Sequence, residues 1–234
     1  MLINGYQPEP KLVVEEPDEI YDWSTVEMTA SSILESRKKQ DIILEFYRDP
    51  YFQDEVVDFF TAVVNSRVLA AIILAQAEHY NIPPALAFAL CWEESQYSVR
   101  AVSKKNANGS IDRGLFQLNN LSFPQLKDAD FFNPETNAHY GMAHLRWCLD
   151  TAGSEIAGLA MYNAGATRVK ADQTPKKTLD YASRILETRN RLEDAFRLEY
   201  VLRQGQRASQ DPVADAAIKE RKWALSQIAF FPYR

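Results

Sequence analysis

Residues 84–97 read PALAFALCWEESQY, a strongly apolar stretch that follows the break Ile-Pro-Pro at residues 82–84. Pro84 suits the first position of a helix, because a proline there gives up no hydrogen bond. Leu86 and Leu90 precede Glu94 by eight and four residues. In a helix these three side chains therefore share roughly one face. This pattern predicts a carboxyl group at the end of an apolar stripe, where an unpaired charge is costly to bury.

The segments on both sides of this stretch also have the spacing of helices. The pattern predicts upstream helices over residues 24 or 25 to about 47, 53–64 and 68–80. It predicts a central helix from 85 to about 97, and later helices over 134–149, 154–162, 178–203 and 213–228. Residues 101–120 contain many turn formers, and residues 111–118 fit an extended or a helical segment. The predicted fold class is therefore mainly α.

Length and composition describe an ordinary globular protein: 234 residues, 46% hydrophobic and 25% charged. The formal net charge of −6 argues against a nucleic-acid partner and offers no attraction to an anionic membrane. No apolar run has the length of a membrane span. The first ten residues lack the basic start and apolar centre of a signal peptide. We therefore expect either a cytoplasmic protein or an exported one whose signal is missing from this sequence.

The cysteines and histidines do not suggest a metal site. Cys91 and Cys148 are too few for a disulfide framework, so they are two buried free thiols or, in an exported protein, one bridge. His139 and His144 are five residues apart, which does not place both on one helix face. There is no Cys-x-x-Cys pair either. We expect neither a metal nor another cofactor.

Glu94 has the setting that glycoside cleavage requires of its acid. The reaction needs a carboxyl group that is still protonated near neutral pH, and partial burial among apolar side chains raises a carboxyl pKa. The alternative is that Glu93 and Glu94 form a solvated helix end. Periodicity does not choose between these two glutamates, because Glu93 lies close to the same stripe.

Six short motifs support a specific interpretation. They are ESQY at 94–97, AVS at 101–103, GLFQ at 114–117, NPETN at 133–137, MYNAG at 161–165 and TLDY at 178–181. In this order and spacing the chain resembles the soluble lytic transglycosylases, the SLT type, over about residues 66–190. The resemblance implies a lysozyme-like fold and a peptidoglycan substrate. It also implies cleavage of the MurNAc–GlcNAc β-1,4 bond with formation of 1,6-anhydromuramic ends.

The resemblance also implies roles for single residues. Glu94 would be the one catalytic residue, acting first as acid and then as base. The saccharide groove would be lined by Ser95, Ser103, Gln117, Tyr162, Asn163 and Tyr181. Four of these have a structural alternative: the two tyrosines could be core aromatics, Ser95 a helix-end residue and Asn163 part of a helix stop.

The sequence departs from the common family pattern at two places. Phe116 stands where methionine is usual, and NGSIDRG at 108–114 replaces a short Ala/Gly turn. The longer turn resembles specialised transglycosylases of secretion and conjugation systems. It also resembles the turn of animal-type lysozymes, whose aspartate is a second catalytic carboxylate. Asp112 is thus either a second carboxylate or a turn residue bonded to nearby backbone N–H groups.

Two further functions therefore stay open. One is a lysozyme-type hydrolase that uses Glu94 and Asp112, and the other is a non-catalytic glycan-binding scaffold. For a transglycosylase we expect a periplasmic or cell-envelope location, which requires an export signal. The partners would be peptidoglycan glycan strands and, through the flanking segments, a secretion or motility machine.

We expect four segments along the chain: an extended acidic arm (1–23), a helical extension (24–65), the lysozyme-like domain (66–190) and a C-terminal helical extension (191–234). The extensions are too short to bury cores of their own. Their apolar residues recur at helical spacing, so both should pack on the central domain. These residues are Ile33, Leu34, Ile42, Leu44, Phe46, Leu192, Phe196 and Tyr200.

Overall fold

The structure, a computed structural model, describes residues 41–106 and 108–209, without the side chains of residues 201 and 204–209. The described chain is mainly helical, as predicted. Its α-helices are α1 (Ile42–Arg48), α2 (Gln53–Val64), α3 (Arg67–His79), α4 (Pro84–Ser95), α5 (Pro134–Ala152), α6 (Glu155–Ala164), α7 (Ala166–Lys170) and α8 (Lys176–Ser209). A 3-10 helix covers Asp130–Phe132, and two short strands are β1 (Asp112–Arg113) and β2 (Leu118–Asn119).

Helix α4 lies in the centre of the core. Every residue from Pro84 to Cys91 is buried, and the helix packs against α1, α3 and α8. Phe88 stacks on Phe60 of α2, with 4.0 Å between ring centroids. Pro84 occupies the first turn, as the sequence predicted. The close-packed surroundings hold the backbone beneath Glu94 rigidly, because protein interiors yield little to displacement.

The end of α4 differs from the prediction by two residues. The helix ends at Ser95, and both Gln96 and Tyr97 adopt the left-handed conformation, with φ of 51° and 63°. That conformation is unfavourable for a bulky residue. Packing compensates for it, since the Tyr97 ring lies 5.4 Å from that of Trp92 and 6.3 Å from that of Phe88. The sharp turn leaves Glu94 in the last turn of the helix.

The segment that the sequence left open between extended and helical is a small antiparallel pair. Asp112 pairs with Asn119 and Arg113 with Leu118, and residues 114–117 form the turn. Gly114 has a φ of 78°, and a Cβ there would lie 2.1 Å from the Phe131 carbonyl oxygen. Only glycine fits this position without displacing the backbone.

Helix α6 begins and ends at the predicted signals. The Ser154 hydroxyl accepts a hydrogen bond from Ala157 N, and Gly165, with a φ of 84°, ends the helix after Ala164. The short helix α7 was not predicted. Helix α8 then runs for 34 residues, about 51 Å at 1.5 Å per residue. The expected boundary between residues 190 and 191 falls inside this continuous helix.

Parts of the flanking segments share the central core. Ile43, Phe59 and Phe60 from α1 and α2 belong to the same buried cluster as Leu192 and Phe196 of α8. The rings of Phe59 and Phe196 meet edge to face, with 5.2 Å between centroids.

The prediction of one helix from residue 24 or 25 to residue 47 is wrong. Asp41 is extended, and its carboxylate accepts a hydrogen bond from Leu44 N at 2.8 Å, so a new helix starts at Ile42. A side chain that caps the backbone in this way marks the first turn of a helix. The predicted arm at 1–23, the rest of that first helix and the helix at 213–228 lie outside the described residues.

In the described ranges, no single helix has the length and apolarity to cross a membrane. Helices α2 and α3 meet those criteria only as a pair bent by 119°. Cys91 and Cys148 are both buried and free, which agrees with the free-thiol alternative. Over the same ranges, no group of three or more His, Cys, Asp and Glu side chains is placed to hold a metal ion.

Candidate active site

A groove of about 740 Å³ opens between the end of α4, the β1–β2 region, and helices α5, α6 and α7. Its lining is dominated by amide and hydroxyl side chains, with few charged ones. The lining residues are Glu94, Ser103, Asn106, Asn108, Ser110, Asp112, Gln117, Leu118, Asn119, Ser122, Phe123, His144, Met161, Tyr162, Asn163, Ala164, Gly165, Ala166 and Arg168.

The structure separates the two adjacent glutamates that helical periodicity alone did not rank. Glu94 lines the groove, and the Tyr181 hydroxyl donates a hydrogen bond to its Oε1. Glu93 instead forms an ion pair with Arg184, whose Nε donates to its Oε1 at 2.9 Å. Glu93 is not among the residues that line the groove, and its carboxylate is bonded to Arg184 and not offered to a ligand there.

Burial raises the pKa of Glu94 to about 8. The Tyr181 hydrogen bond opposes the rise, and the negative charges of Glu93 and Asp112 add to it. The direction follows from the surroundings, because apolar side chains disfavour the charged form of a carboxyl group. Glu94 therefore carries a proton at neutral pH and faces a groove that is open to a ligand.

Asp112 is surrounded by hydrogen-bond donors. Its carboxylate accepts from Asn119 Nδ2 at 2.7 Å, Asn106 Nδ2 at 3.0 Å and the Ser103 hydroxyl at 3.2 Å. We expected donors from the local backbone, and that detail is wrong for the described residues, because all three come from side chains. The Asp112 N–H itself donates to Ser103 Oγ at 2.9 Å.

The donors to Asp112 belong to a wider polar network that the sequence did not reveal. Asn106 Nδ2 and Asn119 Nδ2 also reach the buried Ser110 hydroxyl oxygen, at 3.0 Å and 2.7 Å. That hydroxyl donates to Asn108 Oδ1 at 2.7 Å. The run of turn formers at 105–110 marked this region as a loop, but residue type alone does not identify the partner of each amide.

Three other predicted residues line the groove, each held by one hydrogen bond. Gln117 has a φ of 45°, and its Nε2 donates to the Gly114 carbonyl at 2.9 Å. The Tyr162 hydroxyl donates to the Phe116 carbonyl at 2.9 Å. Asn163 Oδ1 accepts from the Thr178 hydroxyl at 2.9 Å. A left-handed glutamine beside a groove is the kind of backbone strain that is frequent at functional sites.

Two predicted groove residues do not line the groove. The Ser95 hydroxyl donates to the Cys91 carbonyl at 3.1 Å, within its own helix. Tyr181 is 6% exposed and contacts Glu94 from α8. The structure thus brings Ser103, Gln117, Tyr162, Asn163 and Asp112 together with Glu94 at the groove, with Tyr181 behind the acid.

Asn137, which the sequence analysis quoted without a role, positions the turn of the groove wall. This fully buried side chain accepts from Phe116 N at 2.7 Å. Its Nδ2 donates to the Arg113 and Phe131 carbonyls at 3.0 Å and 2.9 Å. A buried amide that satisfies three backbone groups is costly to replace. In the sequence, Asn137 could have been noticed from its position four residues after Asn133, which places it one helical turn into α5.

His144, Phe123 and Arg168 are further groove residues that the sequence analysis did not single out. Burial lowers the pKa of His144, and its ring lies 4.9 Å from that of Tyr162 and 6.0 Å from that of Phe123. The imidazole is therefore neutral at pH 7. Aromatic groups such as His144 and Phe123 have no distinctive spacing in a sequence. A sequence pattern therefore does not identify them as groove residues.

Comparisons with known proteins point to one family. Residues 71–185 match the family described as Transglycosylase SLT domain. Protein IpgF of Shigella flexneri is 30% identical over 115 residues, which span 47% of this chain and 75% of the relative. Protein IpgF of Shigella sonnei matches with the same identity and coverage. The chain therefore belongs to the SLT family of lytic transglycosylases, in agreement with the resemblance found in its sequence.

Proposed function

We propose that this protein cleaves the MurNAc–GlcNAc β-1,4 bond of peptidoglycan and leaves 1,6-anhydromuramic ends. One observation carries the proposal: Glu94, a carboxyl group with a pKa of about 8, lines a groove rich in amide and hydroxyl groups. Such groups suit a saccharide, whose surface consists largely of hydroxyl and N-acetyl groups. Family membership supplies the reaction class.

The proposed reaction uses Glu94 twice. The protonated carboxyl first donates its proton to the glycosidic oxygen, and the bond from that oxygen to the anomeric carbon breaks. The N-acetyl group of the sugar stabilises the positive charge that develops at that carbon. The Glu94 carboxylate then takes the proton of the sugar's own 6-hydroxyl, whose oxygen bonds to the anomeric carbon. No water is consumed, and Glu94 regains its starting state.

Tyr181 and the groove residues support these steps. The Tyr181 hydroxyl holds one carboxyl oxygen of Glu94, which orients the proton toward the ligand and stabilises the carboxylate after transfer. We assign saccharide binding to Ser103, Gln117, Tyr162 and Asn163. Ser95 is the weakest of the expected binding residues, because its hydroxyl is bonded within α4.

We assign Asp112 to the groove wall and not to the chemistry. Its two carboxylate oxygens already accept three hydrogen bonds from side chains that hold the loop. A nucleophile that has to swing onto an anomeric carbon would have to break them. The alternative, a lysozyme-type hydrolase, requires Asp112 to stabilise the sugar cation or to bond to it, followed by attack of water.

Mass spectrometry of digested cell wall tests the reaction directly. We expect anhydromuramic products, which are lighter by one water than the reducing-end products of a lysozyme. Reducing ends would move the assignment to the two-carboxylate mechanism. A zymogram on peptidoglycan tests the third possibility, because a non-catalytic scaffold would bind glycan and produce no clearing.

The proposed setting is the periplasm or cell envelope, where peptidoglycan lies, and it requires export. We also propose that the two extensions, residues 24–65 and 191–234, pack on the central domain as helices and offer a surface to a secretion or motility machine. The support is that Phe59 and Phe196 lie in the same buried cluster as the centre of α4. Limited proteolysis checks the packing: rapid release of a stable 66–190 fragment would contradict it.

A further inference from the structure

Arg168 is an unpaired guanidinium on the groove. Of the arginines whose side chains are described, every one except Arg100 and Arg168 forms a salt bridge. Arg168 lines the groove, and Arg100 does not. Both side chains are exposed, so the two arginines differ in location and not in burial.

Over the described residues, no ionisable side chain of the groove forms a salt bridge with Arg168. Glu94 is neutral at pH 7 because burial raises its pKa to about 8, and His144 is neutral because burial lowers its pKa. Asp112 accepts hydrogen bonds from Ser103, Asn106 and Asn119. Within the part of the groove that the structure describes, Arg168 is therefore a cation with no acidic partner.

The backbone around Arg168 is fixed although its side chain is free. Gly165, with a φ of 84° and a ψ of 145°, redirects the chain between α6 and α7, which places Arg168 beside the groove. The Arg168 carbonyl accepts a hydrogen bond from Gln173 N at 3.0 Å, and the Thr167 carbonyl accepts one from Ala171 N at 3.2 Å. A charged group on a fixed backbone loses little backbone freedom when it binds a ligand.

We propose that Arg168 binds a carboxylate carried by the muramic acid residues of the glycan, so that the groove distinguishes muramyl glycans from neutral N-acetylglucosamine polymers. This inference rests on the proposed function and names the group that the site selects. A guanidinium pairs with a carboxylate through two parallel hydrogen bonds, a geometry that neither hydroxyl nor amide groups of a neutral sugar reproduce. The chain carries a net charge of −6, so an anionic polymer needs such a local cation to dock.

Muramic acid can present this carboxylate in two ways. In a glycan with stem peptides the lactyl carboxyl group is an amide, and the free carboxylates belong to the peptide. In a glycan stripped of its peptides the lactyl carboxylate itself is free. Uniform chains of N-acetylglucosamine carry neither.

The test measures binding by isothermal titration calorimetry in the Glu94→Gln background, where no cleavage occurs. The probes are an uncross-linked muramyl tetrasaccharide with stem peptides, the same tetrasaccharide after amidase treatment, and tetra-N-acetylchitotetraose. Arg168→Ala and Arg168→Lys are compared with Arg100→Ala, which removes the other unpaired arginine away from the groove. Thermal unfolding of each variant shows that it is folded.

We expect Arg168→Ala to weaken binding of one or both muramyl probes by about tenfold, about 1.4 kcal/mol, and binding of chitotetraose by less than about twofold. Loss only with the stem-bearing probe assigns the peptide carboxylate, and loss only with the stripped probe assigns the lactyl carboxylate. Arg168→Lys should retain part of the affinity, and Arg100→Ala all of it.

Two results would overturn the inference and leave the proposed function standing: unchanged affinity for both muramyl probes, or an equal loss for all three. A parent background that binds none of the glycans would instead contradict the proposed function.

Discussion

The end of α4 and the β1–β2 region each contribute a carboxyl group to the same groove, in opposite environments. Glu94 follows a fully buried helix and has one hydroxyl donor, from Tyr181. Asp112 lies among side-chain donors from Ser103, Asn106 and Asn119. Burial raises the pKa of the first group to about 8, whereas the second is held in place by three hydrogen bonds. The comparison teaches that surroundings, and not residue type, decide which of two carboxyl groups can act as an acid.

The largest expected effect tests the acid itself. Glu94→Gln should lower the rate of peptidoglycan cleavage by about 10³-fold, because the amide keeps the shape and has no acidic proton to donate. The rate of release of soluble fragments from purified cell wall measures this. Glu93→Gln is the matched control on the neighbouring position and should retain most of the activity. If the control loses activity and Glu94→Gln keeps it, the wrong carboxyl group has been assigned.

The same variant should be more stable than the parent at alkaline pH. The folded-state pKa of Glu94 is about 8, against an ordinary value of 4.5 for a glutamate exposed to water. The parent therefore loses stability as pH rises from about 4.5 through about 8, whereas glutamine does not titrate. We expect Glu94→Gln to be more stable by up to about 5 kcal/mol near pH 9, and the titration-dependent part of this difference to vanish near pH 4. Urea unfolding at the two pH values measures it, and a pH-independent difference would contradict the burial argument.

Asp112→Asn should have a smaller effect on activity. The new amide places an NH₂ group where the carboxylate accepted hydrogen bonds from Ser103, Asn106 and Asn119. At least one of these hydrogen bonds is lost, and the groove wall loosens. We expect activity to fall less than about tenfold and stability to fall by about 1–3 kcal/mol, with anhydro products unchanged. Asp128→Asn, which alters an exposed carboxylate paired with Arg113, is the control. A folded but inactive Asp112→Asn variant would support the lysozyme-type mechanism.

The smallest expected effect concerns the tyrosine behind the acid. The Tyr181 hydrogen bond lowers the pKa of Glu94, so Tyr181→Phe should raise it. In the parent, activity should fall as Glu94 loses its proton above a pH of about 8. In the variant this alkaline limb should move upward by about half a pH unit, with activity reduced a few-fold. A pH–rate profile measures both, and a downward shift would show that the hydroxyl favours the protonated form.

The sequence predicted the helices and the candidate acid because both depend on local signals. Spacing of apolar residues identified the helix over 53–64 to the residue, and Pro84 and Gly165 marked a start and a stop as predicted. The apolar stripe with Leu86 and Leu90 pointed to a carboxyl group in the last turn of α4. Each of these signals lies within a few residues of the structure that it determines.

What helical periodicity could not decide depends on partners far along the chain. The choice between Glu93 and Glu94 follows from Arg184 and Tyr181, which are 91 and 87 positions away from their partners. The role of Asn137 follows from three backbone groups that the turn brings to it. Helical periodicity contains no information on such pairs, and the Asp41 cap shows how one side chain can divide an otherwise continuous pattern.

Helix α8 runs without a break from the active site to the hydrophobic core. Tyr181 and Arg184 hold the two glutamates at one end, and Phe196 packs against Phe59 about 22 Å further along. Each added residue turns an α-helix by about 100°. One residue inserted between positions 184 and 192 would therefore rotate the aromatic anchor away from the core or the tyrosine away from the acid. Four inserted residues, close to a whole turn, would nearly restore the angle but move the anchor about 6 Å along the axis. The spacing between these two anchors is therefore fixed in both angle and length.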